Sequence, residues 1–422
     1  HDLEQFVQEA NEKIDSWFND STQDVDEHGD PIEGTSHREQ LKDKIDSYLK
    51  EFIDFNLESE LKISDPKVKT ILDAISVRVK QNSNLGLGTM NRLYMATELL
   101  HLNNGKPGLH LGLIEELEAH LHPQAQMKVM SSLQSRDVQF IMSTHSPNLT
   151  SKVRLADKDN VNFIMCHGTD VYPLNPDTTR LKEPDFSFLD TFLDVTKSNL
   201  FYAKGVILVE GWAEELLIPT LAKKLDMDLT TNEVSVVNVG STAYLRYANI
   251  FVRTDGKILD VPVSVVTDLD VAPQLLSHDE QEEEDGTVVD YSAISEKDEK
   301  EKECKIKESA DFPADQKVNM YIAPHWTLEW SLYLSTALKT LFMESVSNVH
   351  SKTAAFKRNE DLSWDEDGFK NKLIEKLKYR TLDKVAIAQT LVAKINKTDQ
   401  ITIEDDDSAY YLIDAIKHAC KK

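Results

Sequence analysis

The feature that most restricts the fold of this chain is a set of three apolar, β-branched runs, each ending in turn or acidic residues: "GVILVEG" at Gly205–Gly211, "EVSVVNVG" at Glu233–Gly240 and "VPVSVVTDLD" at Val261–Asp270. Continuous Val, Ile and Leu without polar alternation fits strands covered on both faces, which is the condition of a parallel sheet flanked by helices. The intervening "AEELLIPTLAKKLDM" and "YLRYANIFVRTDG" supply helical connections. Sheets of this kind build their sites at the carboxyl ends of their strands. Strands ending at Glu210, at a Gly240 turn and at Asp268 and Asp270 therefore line one edge with carboxylates.

Glu214 follows Glu210 by four residues, in the first turn of the next predicted helix, and faces the same edge. Asp268 and Asp270 are two apart, so an extended backbone points both the same way. Three or four carboxylates brought together repel unless cations neutralise them. Hard oxygen donors of this type select Mg²⁺ or Mn²⁺.

The first half of the chain alternates β and α as well. "LGLIEELEAHLHP" (Leu111–Pro123) ends an apolar strand in Glu115 and Glu116. At such a strand end the first acid can hold Mg²⁺ through water and the second can orient the water that attacks a γ-phosphate. The next strand-like run ends in "STHSP", with His145 beside Ser143 and Thr144, and a glycine loop "NLGLG", with Gly86 and Gly88, precedes the helix-like "TMNRLYMATELLHL". "HLH" at 120–122 has no third ligand nearby, so it reads as loop structure in preference to a zinc site.

Glycine loop, strand-EE, "EAHLHP" and strand-"STHSP", in that order, resemble the signature, Walker B, D-loop and switch-histidine series of ABC-type ATPases of the SMC and RecF-like group. Strand-E-G-x-x-E, strand-"NVG" and strand-D-x-D resemble a TOPRIM domain, although Ser241 stands where relatives often have a second glycine. The two together resemble the OLD (overcoming lysogenisation defect) family of ATP-dependent DNA endonucleases, from about residue 57 to the end. That resemblance implies a further metal-binding acid at Glu329 in "PHWTLEWSLYL". It also implies a lysine at Lys384 in "DKVAIAQTLVAKI" that stabilises charge developing on the phosphate. It implies one cation held by Glu210 and the D-x-D pair, a second held by Glu214 and Glu329, ATP, and DNA as substrate. Gating through a homodimer or higher homo-oligomer and a role in phage defence, sometimes with a partner defence protein, belong to the same implication. No G-x-x-x-x-G-K-[ST] occurs in the sequence. The expectation is that it begins partway through its protein and needs a further phosphate-binding lobe to bind ATP.

The expected fold is α/β: the C-terminal half of an ABC/SMC-like ATPase domain with a helical dimerisation arm, then a TOPRIM Rossmann-like parallel-sheet domain with helical additions. The boundaries are 1–56 for the arm, 57–185 for the ATPase lobe and 186–422 for the TOPRIM domain, with an acidic insert near 275–310. The functional reading is a metal-dependent DNA endonuclease regulated by the ATPase. The alternatives are a topoisomerase- or primase-like use of TOPRIM, with Tyr244 and Tyr247 near the site, or a non-catalytic ATP-driven clamp.

Composition bounds these readings. A net charge of -26 argues against a broad electrostatic grip on nucleic acid, although much of the acid is local to Ser277–Glu308 and metal ions can meet the phosphate. No apolar run approaches the roughly 20 residues needed to span a bilayer. Cys166, Cys304 and Cys420 form no paired motif. A reducing, cytoplasmic setting follows as the expectation.

Overall fold

The computed structural model describes residues 2–20, 36–52, 58–62, 76–79, 86–102, 110–135, 138–240, 243–272 and 312–422. The acidic insert near 275–310, the polar loop 21–35, the start of the "NLGLG" loop and Ser241 lie outside the described residues. The chain divides into two compact units, His1–Val153 and Arg154–Lys422.

The first unit opens with helices α1 (Asp2–Asn19) and α2 (His37–Phe52) and an antiparallel pair, β1 (Ser59–Lys62) and β2 (Ser76–Val79). It continues with α3 (Leu87–Leu102), β3 (Leu111–Ile114), α4 (Pro123–Gln134), β4 (Gln139–Met142) and the single turn α5 (Pro147–Thr150). β3 and β4 pair in parallel, Leu111 opposite Gln139 through Ile114 opposite Met142, with α4 as the crossover that parallel strands require. The core joins Ile45 and Leu49 of α2, Leu93 and Ala96 of α3, and Val129 and Leu133 of α4.

In the second unit a hairpin, β5 (Ile164–His167) and β6 (Asp170–Pro173), and helix α6 (Glu183–Phe192) lead into the sheet. Its elements are β7 (Gly205–Val209), α7 (Trp212–Lys224), β8 (Val234–Asn238), α8 (Tyr244–Ala248), β9 (Val263–Thr267) and β10 (Val318–Ile322). All pairings are parallel, in the order β10-β9-β7-β8. Every residue of β7 and β9 is buried, whereas the outer strands are partly exposed. This is why the two central runs read as unbroken hydrophobe. β10, "VNMYI", is a fourth strand that the sequence reading did not anticipate.

The chain steps outward from β7 to β8, then returns across β7 to β9 and β10. The strand order therefore reverses at the β7/β9 pair, and a crevice at the carboxyl ends of those strands is where such a sheet places its site. Helices α9 (Leu328–Leu334), α10 (Lys339–Val349), α11 (Glu366–Lys378), α12 (Lys384–Ile395) and α13 (Tyr410–Ala419) complete the unit. α12 packs along α7 and α10, and α13 lies against β7, β9 and β10, where Ser264 Oγ donates to the Ala415 carbonyl at 2.7 Å. Leu217 and Leu221 of α7, Phe342 of α10 and Ile387 and Leu391 of α12 share one core. Each such fully buried side chain contributes about 1.5–3 kcal/mol. That burial fixes the N-terminus of α12 beside the sheet edge. No described helix is long and apolar enough to cross a membrane.

Candidate functional site

β7 and β9 are neighbours, with Val209 opposite Val266, so Glu210 leaves the sheet beside Thr267 and Asp268. The Thr267 hydroxyl donates to Glu210 Oε1. Gly211, in extended backbone, turns the chain into α7 and leaves Glu214 in its first turn. Asp268 Oδ1 accepts the Leu328 N–H at 2.7 Å, and Thr327 Oγ1 caps α9 by accepting the Trp330 N–H at 3.3 Å. These bonds tie the start of α9 to the end of β9 and seat Glu329, only 2% exposed, over the same edge. Lys384 opens α12 behind the cap Asp383, whose Oδ1 accepts the Ala386 N–H at 3.0 Å. Its Nζ stands 2.8 Å from Glu329 Oε2 and 4.0 Å from Asp268 Oδ2.

The electrostatics show what this arrangement costs. Burial, then repulsion from Glu329 and Glu210, pushes Glu214 up to about 7. Burial, then Glu329 and Glu214, holds Asp268 well above the ordinary carboxylate range. Burial alone would lower the Lys384 ammonium, but Glu329 and Asp268 outweigh it and hold the group above the usual lysine value. Glu329 Oε1 is buried without a hydrogen-bond partner; Oε2 faces Lys384 at ion-pair distance but without hydrogen-bond alignment. A buried, unsatisfied carboxylate oxygen costs free energy unless a cation meets it. Four oxygen-donor side chains, two of which (Glu214 and Asp268) resist ionisation when no cation is bound, fit a hard divalent ion. Among the described residues, no three His, Cys, Asp or Glu side chains are gathered closely enough to hold an ion as they stand. Lys384 supplies the countercharge in this arrangement.

Asp270 is placed differently from the period-two expectation. β9 stops at Thr267, and Asp270 is exposed with φ 60° and its N–H held by the Trp326 carbonyl at 2.8 Å. The chain has left extended geometry by this point, so strand alternation does not align Asp270 with Asp268. Gly240 has φ 69°, a conformation that favours glycine, and its N–H is held by Asn238 Oδ1 at 2.9 Å, which accounts for a glycine after β8.

In the first unit, Glu115 and Glu116 follow β3 and both are exposed. The Glu116 N–H reaches Ser143 Oγ at 3.3 Å and the Ser143 N–H reaches the Ile114 carbonyl at 2.9 Å, so the "EE" and "STHSP" strand ends lie side by side. His145 is exposed beyond them. Gly86 caps α3 through its carbonyl, which accepts the Thr89 and Met90 N–H groups at 2.9 and 3.1 Å. A Cβ at Gly88 would come within 2.4 Å of the His120 carbonyl oxygen, so that glycine permits α3 to touch the "EAHLHP" loop. His120 itself has φ 62° and His122 stands at the N-cap of α4.

Three groups at these sites carried no individual role in the sequence reading. Glu118, inside "EAHLHP", accepts from Thr144 Oγ1 at 2.7 Å and the His145 N–H at 2.5 Å, clamping the two motif loops together. Thr267 orients Glu210. Tyr411 of α13 lies in the field of Asp268, Glu214, Glu329 and Glu210; burial first, then these charges, hold its phenol well above the ordinary tyrosine value. Glu118 was visible as part of a motif, whereas nothing in the local sequence marks Tyr411.

A parallel sheet with acids at the carboxyl ends of its central strands, joined to a strand-EE and strand-"STHSP" unit, defines a TOPRIM-type domain following an ATPase-type segment. Family comparison agrees: residues 201–270 match the overcoming lysogenization defect protein-like TOPRIM domain, and residues 2–150 match an AAA ATPase domain. The matches are to these two domains, and the two domain classes imply use of a divalent metal and ATP. Endonuclease GajA of Bacillus cereus (strain HuB5-5) is 27% identical over 230 residues, 46% of this chain and 32% of that protein. The OLD nuclease of Thermus scotoductus (strain ATCC 700910 / SA-01) is 29% identical over 179 residues, 38% and 31% of the two chains. The chain thus spans about a third of the length of these relatives. The C-terminal region of the Burkholderia pseudomallei OLD protein, a solved structure, is 22% identical and matches 52% of this chain and 98% of its own, with a TM-score of 0.34.

Proposed function

We propose that the chain belongs to a DNA endonuclease in which the Glu210, Glu214, Asp268, Glu329 and Lys384 cluster hydrolyses phosphodiesters with Mg²⁺ or Mn²⁺, under control of the ATPase segment. The observation that carries this is the convergence of four carboxylates and one ammonium at the β7/β9 carboxyl edge, with Glu329 Oε1 buried and unsatisfied. Glu210 and Asp268 would hold one ion, and Glu214 and Glu329 another. When bound, such ions would supply Lewis acidity toward the attacking water and the departing 3′ oxygen. Thr267 holds the Glu210 carboxylate in place, and the α9 N-terminus holds Asp268. Lys384, released from Glu329 as countercharge, is positioned to stabilise negative charge on the phosphate. Glu115, Glu116, Gly86, Gly88 and His145 are assigned to the nucleotide side. That assignment rests on their neighbouring strand ends and on the Gly88–His120 contact.

The topoisomerase-like alternative needs an accessible tyrosine. Tyr244 and Tyr247 are 3% and 1% exposed, and the Tyr247 hydroxyl donates to the Phe192 carbonyl at 3.3 Å, which disfavours both as nucleophiles. The test is supercoiled-plasmid cleavage in Mg²⁺ or Mn²⁺ by the parent, Glu210→Ala and Asp268→Ala, each checked for intact folding. Nicking or linearisation by the parent alone supports the proposal. A protein–DNA adduct that survives SDS points to transesterification instead. DNA binding without any cleavage favours the clamp.

A further inference from the structure

The C-terminal helices enclose a second polar basin that the catalytic proposal does not use. It has a volume of about 400 Å³ and lies between α10, the segment Ser351–Trp364 and the last turn of α12. Lys357, Arg358 and Lys394 border it, against a single acid, Glu344. Glu344 receives Arg358 Nη2 at 2.5 Å and Lys394 Nζ at 2.6 Å, and these bonds, Lys394 first, hold its carboxyl below the usual range. The Arg358 guanidinium lies 4.3 Å over the Trp364 ring, and that indole is anchored by its Nε1 donating to Ser347 Oγ at 3.0 Å. Arg358 is therefore preset in orientation on two sides, while its remaining N–H groups keep donor capacity. Among the described residues Lys357 forms no ion pair, and it is exposed. A chain with a net charge of -26 places three cations around one acid here, with the Ser351 hydroxyl on the same wall.

We propose that this basin binds a phosphate of the same DNA strand that the carboxylate cluster cleaves, a few nucleotides from the scissile bond. The inference rests on the endonuclease reading above. Its geometry comes from α12: Lys384 at the first position serves the cluster and Lys394, ten residues on, serves the basin. At 1.5 Å rise per residue the two are about 15 Å apart along the helix, a distance that a few nucleotides of one strand span. The basin would act as a positioning contact, adding affinity and register without sequence readout.

The experiment is fluorescence anisotropy of a labelled 20-base-pair duplex with the full chain in Ca²⁺, across a salt series. Lys357→Glu is expected to weaken binding about tenfold and to lower the salt slope by roughly one. Arg358→Lys keeps the charge but loses the fork, and is expected to weaken binding several-fold. Lys223→Glu, an exposed charge reversal in the last turn of α7, controls for net charge and should match the parent. If the parent binds and both basin variants match it, or Lys223→Glu weakens it equally, the basin is not a DNA contact while the endonuclease reading stands. A parent that binds no duplex at all overturns both.

Discussion

Replacing Glu214 by Gln should make the metal-free protein more stable at alkaline pH, even though it damages the proposed centre. The folded protein holds this carboxyl near 7, against 4.5 for the free side chain, because it is buried and faces Glu329 and Glu210. The sign follows from linkage: a raised folded value gives stability that is fully present below about 4.5 and is lost as pH rises through about 7. At 1.36 kcal/mol for each pH unit of difference, ionising Glu214 in the folded state costs about 3 kcal/mol. Glutamine keeps the shape and never ionises. In EDTA at pH 8, Glu214→Gln should therefore exceed the parent by about 2–3 kcal/mol, and at pH 4 the two should nearly coincide. Urea unfolding followed by tryptophan fluorescence reads the right unit, since Trp212, Trp326, Trp330 and Trp364 lie in the second unit and only Trp17 in the first. A variant less stable than the parent at pH 8, or a difference that ignores pH, would show that the Glu214 carboxyl is not destabilised by its burial among the neighbouring acids.

Other consequences are open to direct measurement. Lys384→Met should lower the rate of cleavage by about two orders of magnitude or more while Mn²⁺ binding persists; loss of metal binding along with rate would show that the lysine is structural. Gly88→Ala should destabilise the α3 contact with the "EAHLHP" loop by about 1–3 kcal/mol, because the new Cβ meets a backbone carbonyl at 2.4 Å. Faster amide exchange at 117–122 is the readout, and unchanged protection contradicts it. Asp407 accepts from Ser335 Oγ, Thr336 Oγ1 and the Ala337 and Ala409 N–H groups at 2.8–3.1 Å. Asp407→Ala should cost about 2–4 kcal/mol in urea unfolding at neutral pH. Burial opposes ionisation of Asp407, but these bonds prevail and depress its pKa. The parent's advantage is thus present above the ordinary aspartate range and should disappear as pH falls through the depressed folded value; a difference that persists in strong acid would argue against this origin.

Much of the second unit was legible because its two central strands are buried on both faces, and a continuous Val/Ile/Leu run bounded by turn residues leaves few alternatives. The acids at Glu210 and Asp268 were legible as strand ends. β10 was not, since an edge strand such as "VNMYI" is half-exposed and lacks that run. Asp270 shows the limit of period-two reasoning: it holds only while the backbone stays extended, and β9 ends at Thr267. Glu329 and Lys384 came from family resemblance alone, because what brings them together is the docking of α9 and α12, a long-range event without a local pattern. Tyr411 reaches the cluster by the same kind of docking, through α13. In the first unit the motif order was readable, whereas the Glu118 clamp became visible only with β3 and β4 paired.

If the carboxylate cluster is a divalent-metal centre, the Glu214 and Asp268 carboxyls, which burial and neighbouring acids hold above their usual range, give up protons when an ion arrives. Calorimetric titration of Mn²⁺ at pH 6.5, repeated in two buffers of different ionisation enthalpy, measures both binding and the protons released. The parent should bind with net proton release, Glu214→Gln should release fewer protons, and Asp268→Asn should lose binding. Equal Mn²⁺ binding by the parent and Asp268→Asn, with no proton release, would contradict it.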